Sequence, residues 1–177
     1  MKHALLSSAS ILAITAVPLF SASILAITAV PLFSAVAVAD DGAADNVAEE
    51  CRLTIDSNDQ MQYDKSELSV PASCETVSLT LTHSGSMAKN VMGHNWVLAP
   101  TDAYQEIASA GMQAGLDSNY LPEDDRILAA TDIIGGGEST SITFDTEGLA
   151  DQDLTFFCSF PGHSSMMKGS FSLTSEG

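Results

Sequence analysis

The segment Phe157-Cys158-Ser159-Phe160-Pro161-Gly162-His163-Ser164-Ser165-Met166-Met167 sets a thiol, an imidazole and a thioether at the spacing Cys-x4-His-x3-Met. An apolar run leads into Cys158, and Pro161-Gly162 signals a turn before His163. A loop of this length can fold back so that its sulfur and nitrogen donors converge. Upstream, Gly93-His94-Asn95-Trp96 supplies a second imidazole at the start of another apolar segment. A thiolate and two imidazoles in a plane, with a weak axial thioether, suit a copper ion that alternates between Cu(I) and Cu(II) in one-electron transfer. Zinc would favour more thiolate, or a carboxylate in place of the thioether. A lone cysteine is ordinarily a small core hydrophobe and a lone methionine ordinary packing. The combination and its spacing carry the reading.

Such donors need a rigid frame, and the rest of the chain reads as strands. From Glu75 to His83, Val77, Leu79 and Leu81 alternate with Ser78, Thr80 and Thr82, the period of a strand with one buried face. Cys51–Asp56, His94–Leu98, Ser139–Phe144, Leu154–Cys158 and Ser170–Thr174 are similar, separated by turn clusters such as Ser84-Gly85-Ser86 and Gly135-Gly136-Gly137. Many short strands with few helices predict an all-β fold, a Greek-key β-sandwich or barrel. One short helix is expected near 101–115. Thr101 and Asp102 are its candidate caps, Tyr104, Ile107, Ala108, Met112 and Leu116 recur at helical spacing, and Gly115 is its stop.

Charge and targeting signals bound the function. The 177 residues hold six basic and 23 acidic side chains, a formal net charge of −17. That excludes nucleic-acid binding driven by phosphate neutralisation and argues against docking on anionic membranes. It favours partners with a basic surface. Residues 1–39 contain no acid and read as a secretory signal peptide, with Ala37-Val38-Ala39 suited to cleavage near Ala39. An unusual feature is an identical repeat, SASILAITAVPLF at 8–20 and again at 21–33. An uncleaved membrane anchor is the alternative, and Pro18 and Pro31 speak against it. Signal removal would leave no stable membrane insertion. Residues 40–49 are expected to form an acidic flexible tail, and 50–177 the folded domain. Export implies an oxidising compartment. A disulfide between Cys51 and Cys74 is then expected, the alternative being two free buried thiols, and Cys158 is left alone.

Three motifs point further: Asn58-Asp59-Gln60-Met61-Gln62, Lys89-Asn90-Val91-Met92-Gly93-His94-Asn95-Trp96-Val97-Leu98, and Phe157 through His163. They resemble the azurin family of bacterial blue-copper proteins, which have the cupredoxin fold. The likeness spans about 48–175, and the Cys-to-His step is longer than in plastocyanin and pseudoazurin. The resemblance implies one type 1 copper held by His94, Cys158 and His163, with Met167 as weak axial ligand and the Gly93 carbonyl opposite. It implies that Asn95 steadies the ligand loops and that Phe160 and Pro161 shield the metal. It also implies an apolar docking patch of Met61, Met87, Val91, Met92, Met112, Phe160, Pro161 and His163, with the His163 ring edge reaching the surface. Trp96 and His83 are expected in the core. Ser84, Met87 and Ser165 stand where the family usually has proline, leucine and alanine. The implied function is periplasmic electron transfer between redox proteins such as a c-type cytochrome and a terminal reductase or oxidase, with no enzymatic turnover. The alternative is a copper storage or delivery protein, which tends to expose several Met or His ligands. An enzyme of the copper nitrite reductase type would need a second copper, and His83 is the only other histidine after signal removal.

Overall fold

Val77, Leu79 and Leu81 are completely buried, as their alternation requires, and their strand is central to one of two sheets. The computed structural model describes residues 46–175. The signal-like segment with its repeat, and residues 40–45, lie outside the described residues. Residues 46–49, at the end of the acidic stretch, already carry contacts. Val47 is buried in the core, and its carbonyl accepts a hydrogen bond from Arg52 Nε at 2.8 Å.

The strands are β1 (Arg52–Asn58), β2 (Gln62–Tyr63), β3 (Glu67–Pro71), β4 (Thr76–His83), β5 (Val97–Pro100), β6 (Ala129–Ala130), β7 (Ser139–Asp145), β8 (Leu154–Phe157) and β9 (Lys168–Thr174). They form a four-stranded sheet ordered β2-β1-β4-β7 and a five-stranded sheet ordered β3-β9-β8-β5-β6. The chain passes repeatedly from one sheet to the other, so both inner faces fill one core, as in cupredoxins. Trp96 and Phe156 are fully buried there, stacked with ring centroids 6.0 Å apart, and Phe144 lies 5.8 Å from Trp96.

Among the described residues two α-helices interrupt the strands: α1 (Lys89–Met92) and α2 (Tyr104–Ala114). The expected helix is present, with corrections at its ends and face. Its N-cap is Ala103, without a side-chain cap bond, and the Thr101 hydroxyl instead pairs with that of Thr155 at 2.9 Å. Ile107, Ala108 and Gly111 form the buried face, so Met112 turns outward and Leu116 falls in a following 3-10 turn. Gly115 ends the helix in a positive-φ conformation (φ 81°), as expected. The strand expected from His94 begins only at Val97. His94 itself makes a single bridge to Ile134, which frees its side chain for other work.

Strands β1 and β4 run parallel, with Arg52 opposite Ser78 and Ser57 opposite His83. Cys51 and Cys74, joined by a disulfide, precede these strands, whereas Asn58 and His83 end them. The covalent staple and the candidate site therefore occupy opposite ends of the sheet. Among the described residues no helix is long and apolar enough to cross a membrane.

Replacing both Cys51 and Cys74 by alanine should cost about 3 kcal/mol, the loop-closure value for a bridge of this span. Denaturant unfolding of the metal-free variant measures this. The visible spectrum of the copper-loaded variant should be unchanged, because the bridge lies far from the donors.

Candidate metal centre

The loop between β8 and β9 folds as its turn residues dictate. Phe160, Pro161, Gly162 and His163 make a type II turn: Gly162 takes φ 85°, ψ −12°, and the His163 amide donates to the Phe160 carbonyl at 3.0 Å. The Met166 and Met167 amides then donate to the His163 carbonyl at 2.9 and 2.8 Å. The Cys158 amide closes the loop onto the Met167 carbonyl at 3.0 Å. Cys158 and Met167 thus stand side by side across the loop, both completely buried.

Three donors converge. Cys158 Sγ lies 3.9 Å from His94 Nδ1 and 3.6 Å from His163 Nδ1, and the three ligand atoms are within 4.8 Å of one another. Metal bonds of about 2.0 Å to nitrogen and 2.3 Å to sulfur, set at 120°, would place such atoms roughly 3.7 Å apart. Both sulfur–nitrogen separations are close to that value, so the residues present fit a bound metal ion with little rearrangement. The tautomer fits too. His94 Nε2–H donates to the Asn58 carbonyl at 2.9 Å, which leaves Nδ1 with a free lone pair facing the thiol.

Burial sets the protonation of the site. Desolvation lowers both His94 and His163 to about 4 and pushes the Cys158 thiol up to about 12. Hydrogen bonds from the Asn95 and Phe160 amides to the sulfur act in the opposite direction. At neutral pH the imidazoles are ready ligands, and the thiol must lose its proton when a metal binds.

The side chains around the donors are tied together. Asn95 Oδ1 accepts the Ser159 amide at 2.9 Å, and Asn95 Nδ2 donates to Ser159 Oγ at 2.8 Å and to the Asn119 carbonyl at 2.9 Å. The Tyr63 hydroxyl donates to the Asn95 carbonyl. His83 stacks on His94 with centroids 4.6 Å apart. The Gly85 amide donates to His83 Nδ1, and His83 Nε2 donates to the Met92 carbonyl, both at 3.0 Å. Asp59 accepts the amides of Ser86 (2.8 Å) and Met87 (3.2 Å), and the Ser86 bond chiefly holds its carboxyl below the usual range. Gly93 is buried, and a Cβ there would come within 2.2 Å of the Lys89 carbonyl oxygen, so no larger residue fits beside His94.

The site residues read from the sequence divide by exposure. Phe160 packs against the His163 ring at 4.5 Å between centroids. Of the anticipated patch, Val91 (58 %), Met112 (50 %) and Met87 (43 %) are well exposed, whereas Met61, Met92, Phe160 and Pro161 are half-buried. His163 is only 3 % exposed, so the ring edge expected at the surface amounts to a sliver. Met166, absent from the anticipated patch, is the most exposed large apolar residue described, at 61 %. Sequence reasoning also missed the Asn58 carbonyl, Tyr63, Asp59, Asn119 and Ser159. Only Asn119 carried a local signal, since asparagine in a polar turn favours left-handed backbone.

Comparison with known proteins agrees with this geometry. Residues 49–174 match the family model described as copper binding proteins, plastocyanin/azurin family. The chain is 56 % identical over 122 residues to an azurin of Pseudomonas fluorescens biotype A, covering 68 % of this chain and 95 % of that protein. It is 50 % identical over 129 residues to the azurin of Bordetella pertussis (strain Tohama I), covering 72 % and 86 %. A solved azurin from the obligate methylotroph Methylomonas sp. strain J superposes with a TM-score of 0.67 at 46 % identity, covering 70 % of this chain and 98 % of that one.

Copper binding at pH 7 should release about one proton, from Cys158, and none from the histidines, which are already neutral well above 4. Calorimetric titration in buffers of different ionisation enthalpy counts it. Release of no proton would mean that the thiol is not a ligand.

Proposed function

This chain belongs to the plastocyanin/azurin family of copper-binding proteins, and from that premise we propose that it is a periplasmic one-electron carrier. Copper would be held by Nδ1 of His94 and His163 and Sγ of Cys158, with the Met167 thioether and the Gly93 carbonyl as further, weaker donors. Copper bound there supplies a centre that gains and loses a single electron. The convergence of three buried donors at metal-ready spacing carries this reading.

The chain's own residues do the rest. The Asn95 and Phe160 amides offer hydrogen bonds that stabilise a thiolate at Cys158. Asn95 holds the Cys158 loop to the His94 segment, so neither donor is free to follow a change in charge. Phe160 and Pro161 cover the His163 side and keep water out. His163, alone among the three donors in keeping any exposure, gives the most direct route to a docked partner. Met87, Val91 and Met112 offer apolar contact suited to a small, quickly released interface with Met61, Met92, Phe160 and Pro161. The net charge of −17 fits a basic partner surface, such as that of a c-type cytochrome, with a terminal reductase or oxidase as the second partner. A single enclosed donor set suits a carrier better than copper storage or delivery. His83 has both ring nitrogens engaged and so offers no lone pair to a second, catalytic metal.

Loading with Cu(II) should give an intense blue colour that ascorbate bleaches, and Cys158→Ser should abolish it. A colourless copper-loaded protein overturns the reading. Electron exchange with a basic c-type cytochrome should slow as ionic strength rises, since exposed charges separated by more than about 10 Å are screened at 0.1 M salt. A rate indifferent to salt contradicts electrostatic docking.

A further inference from the structure

We propose that Asn119 is a positioning residue of the metal centre, holding the His94-bearing and Cys158-bearing segments in register with each other. The inference rests on the copper reading above. Asn119 lies in the turn after α2, distant in sequence from every donor, yet its carbonyl meets the residues that follow His94 and Cys158, and its side chain holds the strip that pairs with His94.

Its backbone carbonyl joins the two ligand segments. The Asn119 carbonyl accepts Asn95 Nδ2 at 2.9 Å and Ser159 Oγ at 3.5 Å, and Ser159 is the residue after Cys158. Its side chain faces the imidazole side. Asn119 Oδ1 accepts the Ile133 amide at 3.0 Å, and Nδ2 donates to Asp132 Oδ1 at 2.9 Å. The next residue, Ile134, exchanges both backbone hydrogen bonds with His94, at 3.0 and 2.9 Å. One residue therefore ties the strip that bridges His94 to the clamp that holds Cys158.

The residue type is demanding. Asn119 sits at φ 54°, ψ 25°, the left-handed region, where asparagine is tolerated far better than most non-glycine residues. Glycine would accept the backbone but lose both side-chain bonds. Aspartate would keep the bond from Ile133 and set a second carboxylate against Asp132. Alanine would lose the bonds and strain the turn. Only asparagine offers an acceptor, a donor and this backbone together.

The experiment compares copper-loaded Asn119→Gly, Asn119→Asp and the exchange variant Asn119→Asp with Asp132→Asn. The exchange keeps the net charge and restores an amide–carboxylate pair in reverse. Copper affinity, the energy of the visible charge-transfer band and the reduction potential are read, with circular dichroism to confirm folding. Asn119→Gly, which keeps the turn, should lose about 10- to 100-fold in copper affinity and shift both band and potential. Asn119→Asp should do likewise, and the exchange variant should recover most of each change. A folded Asn119→Gly protein with wild-type band, potential and affinity overturns the proposal, as does an exchange variant no closer to wild type than Asn119→Asp. If the unmodified protein shows no such band, it is the copper reading that fails.

Discussion

The structure depends on bringing one sulfur and two ring nitrogens together where water cannot reach them. Burial there would be costly if the groups were charged. The fold meets that constraint by keeping them neutral until a metal arrives: the thiol protonated, with its pKa pushed up to about 12, and the imidazoles lowered to about 4. A cation of suitable softness then satisfies all three lone pairs at once. The donors lie 3.6 and 3.9 Å from sulfur to nitrogen, so little must move when it does.

That convergence is held by layers of ordinary interactions. Parallel β1 and β4 end together at Asn58 and His83, and the Asn58 carbonyl fixes the tautomer of His94 while His83 stacks on its face. Antiparallel β8 and β9 fix the two ends of the Cys158–Met167 loop, and the Phe160–His163 turn aims the second imidazole. Asn95 then joins one half to the other. Each constraint limits rearrangement, and a donor set that cannot rearrange suits a centre whose charge changes repeatedly.

Much of this was legible in the sequence, for identifiable reasons. The alternation of Val77, Leu79 and Leu81 reports a two-faced strand directly, and Pro161-Gly162 reports a turn, which the structure shows to be type II. The convergence of His94, Cys158 and His163 was legible because Cys, His and Met at that spacing rarely coincide. Strands β2, β3 and β6 were not read: β2 and β6 have only two residues each, and the Leu68/Val70 alternation of β3 is short and ends in Pro71. The cap expected at Thr101 failed because tertiary pairing with Thr155 outweighs local preference, and the helix starts beyond Asp102, with Ala103 as its N-cap. The Asn58 carbonyl and the Asn119 hub were invisible for a different reason. Backbone acceptors carry no residue signature, and contacts such as Asn95 to Asn119 join positions that only the closed fold makes neighbours.

The most direct test is a pair of high-resolution crystal structures, metal-free and copper-loaded, with the latter in both oxidation states. The account predicts copper bonded to Cys158 Sγ and to Nδ1 of His94 and His163, with those side chains displaced by less than about 0.5 Å among the three forms, the tolerance of a preorganised site. Copper bound elsewhere, or donors that lie apart and assemble only on loading, would contradict it.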